Sequence, residues 1–256
     1  MSLAFLRPKL RPRLDFEPRE TPDLETSSED YARRFPGLLG EFLLEPQTQA
    51  LLELLAPYPG ARVLELGGGH AQVAPVLVRQ GFAVTVVGSD ETCRDRLDRV
   101  LAPDEFEFLA VDLLDLPFPD RSFDVVIAFR LLAHVQRWRQ LLGEMCRVAR
   151  AAVIFDYSDT RSFNRFYDRF FEWKRSLEGN TRAFHCFGPG ELAAECARHG
   201  FPRSQERREH FVPMVVHRMI RTVPVSRALE RASGAAGLTR RFGSPVILRA
   251  ERGVQG

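Results

Sequence analysis

The residues with the clearest chemical potential lie in one short stretch, VLELGGGHAQ, at residues 63–72. A carboxylate, Glu65, precedes the glycines Gly67, Gly68 and Gly69, and His70 follows them. Glycine allows a backbone to approach a ligand closely and to adopt positive φ. The apolar residues before the glycines predict a buried strand. The stretch therefore predicts a ligand-binding turn at the end of a strand.

Three classes of nucleotide-like ligand bind at glycine-rich turns. A P-loop nucleotide requires Gly-Lys followed by Ser or Thr, which this turn lacks. A dinucleotide favours a small residue at position 72, where the chain has Gln72, and Glu65 would repel its pyrophosphate. S-adenosylmethionine instead carries an ammonium group and ribose hydroxyls, which a carboxylate can bind. Charge complementarity therefore favours S-adenosylmethionine.

The elements that must position this turn alternate along the chain. Strands rich in β-branched residues, such as residues 82–88 and 123–129, are separated by helical segments such as 136–150. This alternation predicts a parallel sheet covered on both faces, which is an α/β, doubly wound, Rossmann-like fold. Ligands of such sheets bind beyond the carboxyl ends of the strands, where the glycine turn should lie.

A longer set of motifs resembles the class I S-adenosylmethionine-dependent methyltransferases. They are VLELGGGHA (63–71), an acid near the end of the second strand, and VDLLDLPFPDRSFDVVIAF (111–129) followed by LLAHV (131–135). The stretch D-x-x-x-L-P-F-x-D-x-S-F-D is the most discriminating of them. The likeness is greatest to the small-molecule group that includes quinone-biosynthesis methyltransferases. It implies a mostly parallel sheet with an antiparallel last strand, N-terminal helices and a helical lid.

The resemblance assigns roles around the methionine end of the cofactor. Glu65 would bind that end directly or through water, beside Gly67 and Gly69. Phe129, at the end of the fourth strand, would offer its backbone carbonyl to the ammonium group. His70 is predicted to contact the cofactor, with a turn-shaping role or a role as catalytic base as alternatives.

The resemblance also assigns roles around the adenosine. Asp112 would accept a hydrogen bond from the adenine amino group, and the backbone of Leu113 would contact the neighbouring ring nitrogen. At the other end of the cofactor, Tyr31 would close over the methionine end, or it would only pack against the rest of the domain. The ribose-binding acid departs from the pattern, because Gly88 stands where it belongs. Asp90 is predicted to serve instead, with capping of the following helix as the alternative.

Methyl transfer from a sulfonium is an in-line displacement, so positioning and exclusion of water supply most of the effect. A general base is needed only where the acceptor must lose a proton. His134, after the fourth strand, is the candidate base, and its alternative is to cap the following helix. Arg130 is the candidate for binding an acidic acceptor group, unless it pairs with a nearby carboxylate.

The sequence predicts a short N-terminal arm and one long domain. Residues 1–28 are rich in proline and charge and predict a flexible arm, or else a clamp that orders over a ligand. Residues 29–256 predict a single methyltransferase domain. Within it, residues 158–187 predict a lid, whose aromatic stretch 163–173 would wall an apolar acceptor pocket or pack on the domain.

Composition limits the partners. Thirty-six basic and 34 acidic residues give a net charge of +2 without a basic stripe, which argues against nucleic acid. No apolar run is long enough for membrane insertion, and four cysteines without a C-x-x-C pair suggest a cytoplasmic protein. The six histidines lack metal-ligand spacing, so no metal is expected. We expect a monomer or homodimer that acts on a small-molecule acceptor.

The sequence favours an enzyme that methylates oxygen or carbon of a small, partly apolar molecule. The alternative is a catalytically silent cofactor-binding partner or regulator with the same fold. A nicotinamide-dependent oxidoreductase is the least favoured reading.

Overall fold

The computed structural model describes residues 19–35, 37–162 and 184–253. Within these residues the strands are Arg62–Leu66 (β1), Ala83–Gly88 (β2), Phe106–Ala110 (β3), Phe123–Ala128 (β4), Ala149–Asp159 (β5), Cys186–Phe187 (β6), Arg203–His210 (β7) and Ser244–Glu251 (β8). The α-helices are Asp23–Thr26 (α1), Glu29–Ala32 (α2), Gly37–Leu55 (α3), Ala74–Arg79 (α4), Trp138–Val148 (α5), Glu191–Arg198 (α6), Met214–Ile220 (α7), Val223–Ala235 (α8) and Leu238–Phe242 (α9).

The strands form one mixed sheet in the order β3-β2-β1-β4-β5-β8-β7, with β6 beside β5. β1 to β5 are parallel, whereas β8 runs antiparallel to both β5 and β7. The strand order reverses at β1, so the carboxyl ends of β1, β2 and β4 surround a switch point. The predicted α/β, Rossmann-like sheet with an antiparallel last strand is confirmed.

A buried layer covers each face of the sheet. One layer joins β4 and β5 to α5 and α6, and the other joins β1 and β2 to α3 and α4. α5 shows why the sequence pattern works, because its buried residues recur every three or four positions. They are Trp138, Leu141, Leu142, Met145, Cys146 and Val148.

The N-terminal segment differs from the expected flexible arm over residues 20–28. α1 packs on the glycine turn, and Asp23 and Thr26 are buried. The physical reason is that short polar side chains here find partners in the sheet domain, which composition alone does not reveal. Residues 1–18 lie outside the described residues, and the boundary at 28 stays a prediction.

Two proline positions also differ from the local pattern. Pro46 lies inside α3, which begins at Gly37. β7 ends at His210, and Pro213 is the N-cap residue of α7. Proline has no N–H for a strand ladder, and its fixed φ suits a helix start.

The predicted lid is only partly described. Residues 158–162 finish β5 and its turn, and Cys186–Phe187 (β6) pairs with Ser158 and Asp159. The aromatic stretch 163–173 lies outside the described residues, so the lid stays a prediction. Among the described helices, none is long and apolar enough to cross a bilayer.

Candidate functional site

The glycine turn lies at the carboxyl end of β1, as the sequence predicted. Gly67 has φ 68°, and its N–H donates to the Val87 carbonyl at 2.8 Å, which ties β1 to β2. A Cβ at Gly67 would lie 3.3 Å from the Asp23 Cβ. A Cβ at Gly69 would collide with the Ser27 hydroxyl and the Cys93 carbonyl. Glycine is therefore required where α1 approaches the turn.

Glu65 and His70 form a buried pair behind the turn. His70 Nε2 lies 3.6 Å from Glu65 Oε1, and both side chains are inaccessible to solvent. Burial raises the pKa of Glu65 to about 8 and lowers the pKa of His70 to about 3. Burial disfavours the charged form of each group.

His70 shapes the turn in this arrangement. Its Nδ1 accepts a hydrogen bond from the Gln72 N–H at 3.1 Å, so the proton of the neutral ring is on Nε2, which faces Glu65. The backbone of Phe129 lies beside the same ring. The geometry thus brings Glu65, His70 and Phe129 together, as expected for one end of a ligand site. A direct contact of His70 with the cofactor stays a prediction.

α1 places a carboxylate at the end of β2. Asp23 is fully buried, and its Oδ2 accepts from the Ser89 N–H at 2.8 Å and lies 3.4 Å from Cys93 Sγ. Asp90 behaves differently, because it is exposed and its Oδ1 accepts from the Thr92 N–H at 2.9 Å. Its carboxylate therefore caps the 3₁₀ turn Glu91–Arg94, which is the alternative weighed for it. A ribose role for Asp90 stays a prediction.

Asp112 and Leu113 lie just beyond β3, next in the sheet to β2. Asp112 Oδ1 accepts from the Leu114 N–H at 3.0 Å, and the residue is half-buried. The Val111 N–H donates to the Gly88 carbonyl at 2.8 Å, which holds this loop against the end of β2. The structure thus places Asp112 and Leu113 beside the end of β2, and their contacts with the adenine stay predictions.

A buried polar cluster lies at the ends of β4, β5 and β7. Arg130 has φ 57°, a strained value for a residue with a side chain, and its N–H donates to Asp156 Oδ1 at 2.7 Å. The guanidinium Nη2 of Arg130 donates to Gln47 Oε1 at 2.7 Å and lies 4.0 Å from Glu209 Oε2. The guanidinium Nε lies 3.6 Å from Asp156 Oδ2. Arg130 is therefore paired with carboxylates.

Glu209 is the unusual member of this cluster. Both of its carboxylate oxygens are buried without a hydrogen-bond partner among the described residues. Burial raises its pKa to about 8, although Arg130 opposes the shift. Tyr31 interacts electrostatically with Arg130, Asp156 and Glu209. Burial of its side chain raises the pKa of its hydroxyl group. The cluster can therefore exchange protons or bind a protic group.

His134 lies farther along the same edge. It ends the 3₁₀ turn Leu132–His134, is half-buried, and its ring centroid is 5.6 Å from that of Phe184. The adjacent Ala133 carbonyl accepts from the His185 N–H at 2.8 Å. The structure therefore puts His134 beside Phe184 and His185, near the end of the predicted lid, and its catalytic role stays a prediction.

Among the described residues, one group of side chains has metal-ligand spacing. His210, His217 and Glu230 each bring a ligand atom within 4.8 Å of the others. His217 Nε2 lies 3.0 Å from Glu230 Oε1, and the carboxylate also accepts from the N–H groups of Phe211 and Val212. These hydrogen bonds link β7, α7 and α8, which gives the group a structural role. The expected absence of a metal stays a prediction.

Sequence reasoning missed Asp23 and Glu209. Asp23 lies in the predicted arm and Glu209 received no predicted role, and only the fold brings them beside the glycine turn and Arg130. The available signal was weak: an acid next to Pro22, and a glutamate before His210.

The buried polar atoms around the turn fit a ligand that carries an ammonium group and hydroxyls. Both oxygens of Glu65, Oδ1 of Asp23 and Oγ of Ser89 are buried and receive no hydrogen bond from the described residues. Such groups normally find partners. The donor set that would satisfy them is the one S-adenosylmethionine offers.

Comparison with known proteins identifies the domain that contains this turn. Residues 64–155 match the family model of a methyltransferase domain. A fatty-acid O-methyltransferase of Mycolicibacterium smegmatis is 36% identical over 128 residues, which are 48% of this chain and 44% of the relative. A demethylmenaquinone methyltransferase of Clavibacter sepedonicus is 34% identical over 113 residues, 43% of this chain and 46% of the relative. The chain thus spans less than half the length of these curated relatives.

Solved structures show the same fold. A methyltransferase of Thermotoga maritima described as a possible histamine N-methyltransferase superposes with a TM-score of 0.62 at 18% identity, over 88% of this chain and 95% of that one. The magnesium protoporphyrin IX methyltransferase of Synechocystis PCC 6803 with bound S-adenosylhomocysteine gives 0.59 at 15% identity, over 87% and 93%.

The fold and the glycine turn define a class I methyltransferase domain. Residues 64–155 thus carry a methyltransferase domain of the class I S-adenosylmethionine-dependent type, and S-adenosylmethionine is the cofactor of that class.

Proposed function

We propose that this protein transfers a methyl group from S-adenosylmethionine to oxygen or carbon of a small, partly apolar molecule. The observation that carries the proposal is the meeting of two sets of groups at one edge of the sheet. The glycine turn with Glu65 ends β1, and the Arg130 cluster ends β4 and β5. A cofactor on the first set would have its acceptor beside the second.

The chain's own residues have separate tasks in this proposal. S-adenosylmethionine supplies an activated methyl group on a sulfonium. Glu65 and the glycine turn hold the methionine end, Asp112 and Leu113 hold the adenine, and Tyr31 covers the site from α2. The buried Arg130, Asp156 and Glu209 offer a cation, an anion and a proton-exchanging group to the acceptor. His134 remains the second candidate for proton transfer.

The relatives suggest two acceptor chemistries. One relative is named as an O-methyltransferase of fatty acids, and another is named as a methyltransferase of demethylmenaquinone. Arg130 would favour an acceptor with an acidic group, whereas Glu209 would favour one that must lose a proton. We expect no nucleic acid as acceptor.

The first test is cofactor binding. Titration calorimetry with S-adenosylhomocysteine should give a dissociation constant in the micromolar range for the wild type. Asp112→Ala should weaken binding about 10- to 100-fold, because it removes a hydrogen bond to a charged group. The matched control is Asp115→Ala, an exposed acid of the same loop, which should bind as the wild type does. Equal binding by Asp112→Ala and the wild type would contradict the assignment.

The second test is turnover. Formation of S-adenosylhomocysteine is followed with long-chain fatty acids and with demethylated quinols as acceptors. Product with either series supports the enzyme and separates O- from C-methylation. Tight cofactor binding without turnover of either series would favour a catalytically silent binding protein instead.

A further inference from the structure

The carboxyl end of β2 carries no acid of its own. At Gly88 a Cβ would lie 2.7 Å from the Cys93 Cβ and 3.0 Å from Phe108 Cζ, so this position admits no side chain without a shift. The next acid along the chain, Asp90, is exposed and its carboxylate is engaged by Thr92. Neither residue places a free carboxylate beside the glycine turn.

α1 brings a carboxylate to this place from the N-terminal segment. Asp23 Oδ2 accepts from the Ser89 N–H at 2.8 Å, directly beyond β2. The segment is held on both sides. Glu20 accepts from the N–H groups of Gln136 and Arg137 at 2.7 and 3.1 Å, and Glu29 pairs with Arg96 at 3.1 Å. Asp23 is thus fixed between β1 and β2.

The second oxygen of this carboxylate has no donor. Asp23 is 0% exposed, and its Oδ1 receives no hydrogen bond from any part of the chain that the structure describes. The hydroxyl of Ser89 is buried and unpartnered in the same sense. A buried acceptor without a donor is costly. Ligand hydroxyl groups at this position would supply the missing donors.

We propose that Asp23 provides the carboxylate that binds the ribose hydroxyls of S-adenosylmethionine, in place of an acid at the end of β2. The inference rests on the proposed function, since it concerns the same cofactor. It makes the segment from Glu20 to Tyr31 a working part of the cofactor site, with a carboxylate at one end and an aromatic cover at the other.

Titration calorimetry with S-adenosylhomocysteine tests the assignment. Asp23→Asn keeps the shape of the side chain and an acceptor for Ser89, so melting temperature should stay close to that of the wild type. We expect its affinity to fall about 10- to 100-fold, as for loss of a hydrogen bond to a charged group. Asp30→Asn is the matched control, because Asp30 lies on the same segment with its side chain 87% exposed.

A comparison of two ligands distinguishes ribose binding by Asp23 from a purely structural role of Asp23. The wild type should bind the 2′-deoxyribose analogue of S-adenosylhomocysteine more weakly than the parent compound. Asp23→Asn should discriminate the two far less. Equal weakening of both ligands by Asp23→Asn, unchanged affinity, or tighter binding would each overturn the assignment. Tighter binding would mean that α1 only covers the turn.

The two proposals fail differently. Wild-type protein that does not bind S-adenosylhomocysteine overturns the proposed function and this inference with it. Wild-type binding combined with an unaffected Asp23→Asn variant overturns the role of Asp23 alone.

Discussion

Glu209 shows how burial sets the chemistry of a single residue. Its carboxylate lies 4.0 Å from Arg130, yet neither oxygen receives a hydrogen bond within the described residues. Burial therefore outweighs the attraction of the guanidinium and raises the pKa of Glu209 to about 8 from an ordinary value of 4.5. A carboxylic acid with this pKa is mostly protonated at neutral pH and can donate a proton, and it accepts one only in its ionised form.

This shift predicts a pH dependence of stability. The folded pKa lies above the unfolded value, so the folded protein binds the proton more tightly. Its contribution is fully present below about pH 4.5 and is lost as the pH rises through about 8. As the pH rises through that window, the titration of Glu209 should lower the free energy of unfolding by up to about 1.4 kcal/mol per pH unit.

Urea unfolding between pH 5 and 8.5 measures this effect. Glu209→Gln should give a flatter pH profile than the wild type, because the amide does not titrate. Glu206→Gln, on the same strand but half-exposed, is the control and should follow the wild type. Parallel profiles for Glu209→Gln and the wild type would show that Glu209 is ionised in the folded protein.

At the scale of elements, α5 holds the loop that carries the most discriminating sequence motif. Arg147 donates to the carbonyls of Leu116 and Phe118 at 2.9 and 2.7 Å and to Glu144 at 2.8 Å. Glu144 in turn accepts from the Leu116 N–H at 2.8 Å. The LPFPD stretch thus acquires its shape from one helix.

Arg147→Lys should lower the free energy of unfolding by about 1–3 kcal/mol, because a lysine cannot reproduce the forked contacts with two carbonyls and a carboxylate. Urea unfolding at neutral pH provides the measurement. Arg150→Lys is the comparison: Arg150 is exposed and bonded to Asp124, and its replacement should stay within about 0.5 kcal/mol of the wild type. Similar losses for the two variants would contradict the role assigned to Arg147.

At the scale of the molecule, the N-terminal segment belongs with the sheet domain. Glu20 and Asp23 bond to two different loops at the carboxyl edge, and Tyr31 lies over the Arg130 cluster. A protein that begins at Arg19 and one that begins at Glu29 differ only by residues 19–28. The shorter one should melt at a lower temperature and bind S-adenosylhomocysteine more weakly, because it lacks Glu20 and Asp23 and the hydrogen bonds that they accept.

Differential scanning fluorimetry with and without S-adenosylhomocysteine compares the two truncated proteins. If they melt alike and gain equally from the ligand, residues 19–28 are a dispensable arm, as their composition first suggested. A difference confined to the ligand-bound measurement would locate their contribution in the cofactor site.

The sequence by itself determined the sheet, the glycine turn and the class of ligand. These follow from local patterns: β-branched runs, helical spacing in α5, and Glu65 two residues before the first glycine. Only the tertiary structure decided which distant groups complete the site. Asp23 reaches Ser89 across 66 residues, and Arg130 meets Gln47 across 83. No local pattern encodes such meetings, because they depend on the order in which the strands pair and on which buried acceptors lack a donor.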